Sequence, residues 1–150
     1  LGIPPHRIVN MSNFVGHVLK EVQRIGFTRV LMVGHMGKFV KVAGGIFSTH
    51  SKDSDARMEI IMANLALLGA PVELLEKVDQ CITTDAAGTL IEEYHYEEVY
   101  QVLVDKMKFR SERLLRNRKP EVSIDVVTFG TEAGYLASTQ TLEEIAEEWT

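Results

Sequence analysis

Apolar positions along the chain fall into two rhythms, one suited to helices and one to strands. Val15, Val18, Leu19, Val22 and Ile25 recur at helical spacing, and Gly26 follows them as a C-terminal stop. The apolar run at 7–11 follows a Pro-Pro breaker and predicts a short strand, with Ser12 supplying a hydroxyl to cap the next helix. Val30-Leu-Met-Val33 is unbroken and ends at Gly34, the pattern of a strand covered on both faces of a parallel sheet. Strand, helix and strand in that order predict one βαβ unit.

Regularity then lapses. The segment 34–51, rich in glycine and polar groups, is expected as a long loop with one helical turn at most. A helix over 54–68 places Met58, Ile61, Met62, Leu65 and Leu68 on one face and stops at Gly69. Pro71 opens a short helix reaching Val78, and Thr84 with Asp85 caps another. A long helix over 97–117 buries Val99, Val102, Leu103, Met107 and Leu114. Residues 123–128 read as a strand, 130–134 as a strand-to-helix loop, and Thr141 caps a last helix carrying Leu142, Ile145 and Trp149. Strands alternating with helices predict a single α/β domain over 1–150, with a mostly parallel sheet flanked by helices in Rossmann-like layers.

Composition narrows the classes. A length of 150 residues, 45% hydrophobic and 25% charged, suffices for one cored domain, and a net charge of -5 argues against a general nucleic-acid binder. The one cysteine, Cys81, excludes a disulfide framework and a Cys-rich zinc site, which fits a reducing, cytoplasmic setting. The apolar stretch at 60–72 falls short of the about 20 residues that span a bilayer. The opening Leu-Gly-Ile-Pro-Pro has neither an initiator Met nor a signal-peptide pattern, so a fragment or a cleavage product is expected, which the resemblance given below makes the C-terminal part of a longer, two-domain protein. The basic run from Lys106 to Lys119 reads as a solvated helix face balancing Glu92, Glu93, Glu97 and Glu98.

Ligands of open parallel sheets gather at the carboxyl ends of the strands. Three segments qualify: 12–14, 34–51 and 130–134. In the middle one, Gly34 and Gly37 allow close backbone approach or serve as plain turn glycines. Lys38 and Lys41 offer cations for carboxylates or phosphates, unless they are ordinary surface lysines. His35 and His50 offer proton transfer or hydrogen bonds, and Asp53, Asp55 and Arg57 add charge at a helix start. Gly34-His-Met-Gly-Lys-Phe has the wrong spacing for a Walker loop, no Gly-x-Gly-x-x-Gly or Gly-x-Ser-x-Gly occurs, and metal-ligand spacing is absent.

Ser12-Asn-Phe-Val-Gly, the long segment from Val30 through His50 to Ser51, and Asp55-Ala-Arg-Met-Glu together resemble the CbiD family of cobalamin-pathway methyltransferases. The match is strong over about residues 1–70 and loose beyond. Met32, Met36 and Phe39 stand where the family pattern has other aliphatic residues, and Ser48 where it has Asn. The family is about twice this length, with an N-terminal half carrying a Gly-Thr-rich motif of its own. The resemblance implies methyl transfer from S-adenosylmethionine to carbon 1 of a cobalt tetrapyrrole, cobalt-precorrin-5B. It assigns Lys38, Lys41 and Arg57 to substrate carboxylates, and Ser12, Asn13, Gly34 and Gly37 to cofactor contacts. His35, His50 and Asp55 are expected at the chemistry. Partners beyond the small-molecule substrate are other enzymes of that pathway or further copies of the chain, with no nucleic acid and no membrane. Two other readings stay open: a nucleotide- or phosphate-binding α/β enzyme, and a non-catalytic module that carries tetrapyrroles.

Overall fold

Three strands form one sheet in a computed structural model that describes residues 2–50 and 52–150. They are β1 (Arg29–His35), β2 (Ser123–Gly130) and β3 (Gly134–Ser138), in the order β1-β2-β3. β1 runs parallel to β2, in a register from Arg29↔Ser123 to His35↔Phe129. β2 and β3 are antiparallel, so the sheet is mixed where a mostly parallel one was expected. The reason is local. Only Thr131, Glu132 and Ala133 separate Gly130 from its partner Gly134, whose φ of 70° supplies the left-handed turn residue of a short hairpin. The expected strand-to-helix loop at 130–134 is therefore a hairpin turn.

Helix α1 (Val15–Ile25) precedes the sheet and ends at Gly26, whose φ is 112°, as its sequence predicts. The crossover from β1 to β2 contains α2 (Met36–Ala43), α3 (Arg57–Leu67), α4 (Val72–Asp79), α5 (Thr84–Glu93) and α6 (Glu98–Leu114). α7 (Leu142–Trp149) closes the chain under a capping box of Thr141 and Glu144. Thr83, not Thr84 or Asp85, caps α5: its hydroxyl accepts from the Ala86 amide at 3.1 Å.

Three expectations fail for physical reasons. No strand forms at 7–11. Pro5–Arg7 is a 3-10 turn, Ile8 and Val9 are exposed, and β1 pairs with the distant β2 rather than with this segment, so the early βαβ unit is absent. Ser12 does not cap α1 and sits at a φ of 49°. Much of the loop at 34–51 is helix α2; Ser51, its last residue, lies outside the described residues. Met36, Phe39, Val40, Val42 and Ala43 are all buried, so α2 is covered on nearly every side. Met36, Phe39, Val40 and Ala43 do recur at helical spacing, but over only eight residues set among Gly34, Gly37, Gly44 and Gly45, which read as loop.

One sheet face carries the main core. Met32, Ile124 and Val126 on the strands are buried with Leu19 of α1, Phe39 and Val40 of α2, Ile61 and Leu65 of α3, and Leu103 and Met107 of α6. The other face holds Val33, Val127 and Phe129. Near its Arg29 end Arg29 pairs with Glu148 and its guanidinium lies 5.2 Å from the Trp149 ring centroid. Lys108 is not on a solvated face: it pairs with Glu112 at 2.9 Å and donates to the Ile124 carbonyl at 2.8 Å. Gln23 of α1, 1% exposed, donates its amide to the carbonyls of Leu115, Arg118 and Pro120 at 2.9, 3.1 and 3.0 Å. That side chain fixes the chain reversal between α6 and β2.

Candidate functional site

The carboxyl ends of β1 and β2 meet the N-termini of α2 and α5. His35 is both the last residue of β1 and the N-cap of α2, and its Nδ1 accepts from the Gly37 amide at 2.9 Å. That bond assigns the proton of the neutral ring to Nε2. Nε2 lies 2.9 Å from the Thr131 hydroxyl, which in turn donates to Asp85 Oδ2 at 2.8 Å. The Thr131 amide donates to Asp85 Oδ1 at 3.0 Å. The Thr131 amide first, then its hydroxyl and the nearby His35, hold the Asp85 carboxyl below its usual range. A strand end, a hairpin turn and a helix start are thereby tied together. Gly37 belongs to the same junction, since a Cβ there would stand 3.2 Å from Thr84 Oγ1.

Next to this junction opens a cleft of about 720 Å³, of the size that takes small molecules. Its lining includes Met36, Asp85, Glu92, Glu97, Tyr100 and Glu132. Tyr100 is 8% exposed, and burial, reinforced by the negative charges of Glu97, Asp85 and Glu92, pushes its phenol up to about 12. The phenol therefore stays protonated at neutral pH.

The other residues singled out in the sequence divide into smaller groups. Lys38 donates to the Ser12 carbonyl at 3.0 Å. Asn13 receives the Thr49 amide on its backbone carbonyl at 3.1 Å. Lys41 is 1% exposed and donates inward to the carbonyls of Thr49, at 3.1 Å, and Ser54. It clamps the segment after α2 and does not present its ammonium to a ligand, contrary to the expected contact with substrate carboxylates. Arg57 pairs with Asp55 at 3.0 Å and donates to the Ile82 carbonyl at 3.0 Å, just ahead of α5. Its guanidinium holds the Asp55 carboxyl below the usual range. His50 is exposed, its Nδ1 accepting from the Lys52 amide at 3.0 Å. Gly34 serves packing: a Cβ there would stand 2.6 Å from the Phe39 ring. Thr131 and Glu132 lie in the 130–134 segment expected at the carboxyl edge of the sheet but were not singled out there; Tyr100, Glu92 and Glu97 were not foreseen, and Asp85 only as a cap. A short loop ending in glycine between strand-forming residues was the available signal for Thr131; nothing local marks Tyr100.

Among the described residues no helix is long and apolar enough to cross a membrane. The family model described as "CbiD, C-terminal domain" matches residues 48–140. A cobalt-precorrin-5B C(1)-methyltransferase of Listeria welshimeri is 60% identical over 149 residues, 99% of this chain and 40% of that relative. The protein of the same name from Clostridioides difficile is 44% identical over 140 residues, 93% of this chain and 34% of its own length. The one from Citrobacter koseri is 43% identical over 148 residues, 99% and 39% of the two chains. This chain thus spans about 40% of the length of the curated relatives it matches first. No solved structure matches it. A family model covering well over half of the chain, joined to relatives alike along nearly all of it, makes this protein a member of the CbiD family, by its C-terminal domain.

Proposed function

We propose that this domain is the C-terminal part of a two-part cytoplasmic enzyme that methylates carbon 1 of cobalt-precorrin-5B, with S-adenosylmethionine as donor, in the anaerobic route to cobalamin. The observation that carries the reading is 60% identity over 149 residues to a relative bearing that name. The sheet, though mixed, is read as one layer of a larger Rossmann-like assembly completed by the rest of the enzyme.

S-adenosylmethionine supplies a methyl group on a positive sulfur, open to attack by an electron-rich ring carbon. The work left to the protein is to align and enclose the reactants, and rigid supports at the strand ends suit that task. His35 is held at both ring nitrogens, by Gly37 and by Thr131, so its position is fixed before any ligand arrives. Lys38 and Arg57 are the cations proposed for substrate carboxylates. Each is held by a backbone carbonyl, of Ser12 and Ile82 respectively, and retains further donors. His35 and the exposed His50 are proposed for proton handling, Asp55 orients Arg57, and Gly37, through Thr84, borders the donor.

Anaerobic incubation of the full-length protein with cobalt-precorrin-5B and methyl-labelled S-adenosylmethionine tests the reading. One labelled methyl group is expected on the pigment, and its absence overturns the proposal. Replacing His35 or Lys38 by Ala is expected to lower turnover about tenfold or more; a normal rate removes that residue from the mechanism.

A further inference from the structure

The cleft beside Asp85 has a one-sided charge. Asp85, Glu92, Glu97 and Glu132 contribute to its lining, and no lysine or arginine does. Both Asp85 oxygens are engaged by Thr131, whereas Glu92, Glu97 and Glu132 are exposed. At its wall stands Tyr100, a residue more than nine-tenths buried whose hydroxyl opens onto the cleft and has no hydrogen-bond partner among the described residues. Gly88 leaves that hydroxyl open, since a Cβ at this position would stand 3.0 Å from it. A phenol oxygen that faces a cleft and has no protein partner is free to bond a polar ligand atom.

The carboxylates do not converge. Among the described residues no three acidic, histidine or cysteine side chains could share a metal ion. A compact hard cation needs several oxygens in one shell, so this arrangement does not suit it. An extended organic cation instead meets negative charge at separated points along its length.

We infer that this cleft receives the positively charged portion of an organic cation, with Glu92, Glu97 and Glu132 facing its charges and Tyr100 hydrogen-bonded to it. Resting on the methyl-transfer reading, the ligand is S-adenosylmethionine, whose sulfonium and ammonium outweigh its single carboxylate, which lies outside the acidic lining. The same field repels a tetrapyrrole fringed with carboxylates. Charge thus sorts the two reactants: the donor enters the acidic cleft, and the anionic substrate stays toward Lys38 and Arg57.

Calorimetry on the full-length protein tests this with three ligands: S-adenosylmethionine, S-adenosylhomocysteine, which loses the sulfonium charge but keeps the ammonium and the carboxylate, and methylthioadenosine, which has none of these charges. In the double variant Glu97→Gln/Glu132→Gln, affinity for S-adenosylmethionine is expected to fall about tenfold, while that for methylthioadenosine stays within about twofold. Tyr100→Phe is expected to weaken all ligands that reach the hydroxyl without altering their salt dependence. Both glutamates are exposed, so an unchanged thermal midpoint confirms that the double variant is folded. Unchanged donor affinity in that variant overturns the cleft assignment and leaves the methyl-transfer reading standing. If the unsubstituted protein binds none of the three, the donor identity falls, and spermidine then tests the cleft alone. Spermidine binding weakened by the double substitution retains the cation site; no such binding removes it.

Discussion

Gly34 shows how a single residue can carry the right signal for the wrong reason. A glycine directly after a buried strand suggests ligand contact, yet its missing side chain is the space taken by the Phe39 ring, 2.6 Å from where a Cβ would stand. Phe39 is itself buried in the core, so the ring cannot turn away freely. Gly34→Ala is expected to cost about 1–3 kcal/mol of stability, read from urea unfolding. A neutral result would show that the ring has room to move. Lys41 teaches the same lesson in reverse. Its charge suggested exposure, but its carbonyl partners lie eight and thirteen residues onward, and no sequence window shows that they fold back over it. His35 was expected in the loop beyond the strand, whereas it is the last residue of β1 and caps α2; Thr131 and Asp85, from far along the chain, complete its surroundings.

At the level of elements, those whose burial is one-sided were legible. α1, with its apolar stripe and Gly26 stop, and α7, with its Thr141 cap, both follow their sequence patterns. α2 was not recognised, because its helical spacing lasts only eight residues and is set among glycines, and β3 was not, because five residues after a hairpin turn resemble a helix lead-in. The junction of α5 with the β2–β3 turn yields a pH prediction. Asp85 has a lowered folded-state pKa, so its contribution to stability is present above the ordinary carboxylate range and is lost as pH falls through the lowered value. The stability difference between the native protein and Asp85→Asn is therefore expected to be full near pH 7 and to shrink below about pH 4. Thermal unfolding across that range measures it, and a difference independent of pH would sink the assignment of the Thr131 contacts to the ionised carboxylate.

For the molecule as a whole, α/β character was readable from the alternation of strands and helices, whereas topology was not. The partner of β1 lies beyond five helices, and such a pairing leaves no trace in local composition. The basic residues after Lys106 likewise divide between internal partners, such as Lys108 on Glu112, and a separate groove lined by Arg113, Arg116, Arg118 and Lys119. That groove borders the α6–β2 reversal, whose exposed charged residues resemble the kind of surface turn where extra sequence is readily accepted. Gln23 makes it the opposite. Three carbonyls at Leu115, Arg118 and Pro120 must reach one buried amide, so the length of this connection is measured against a fixed ruler on α1. A glycine-serine insertion after Arg116 is expected to lower stability by about 1–3 kcal/mol in urea unfolding, as Gln23→Leu should also do, because either change strands buried polar groups. The natural chain can drift in charge across this turn, but it cannot drift in length.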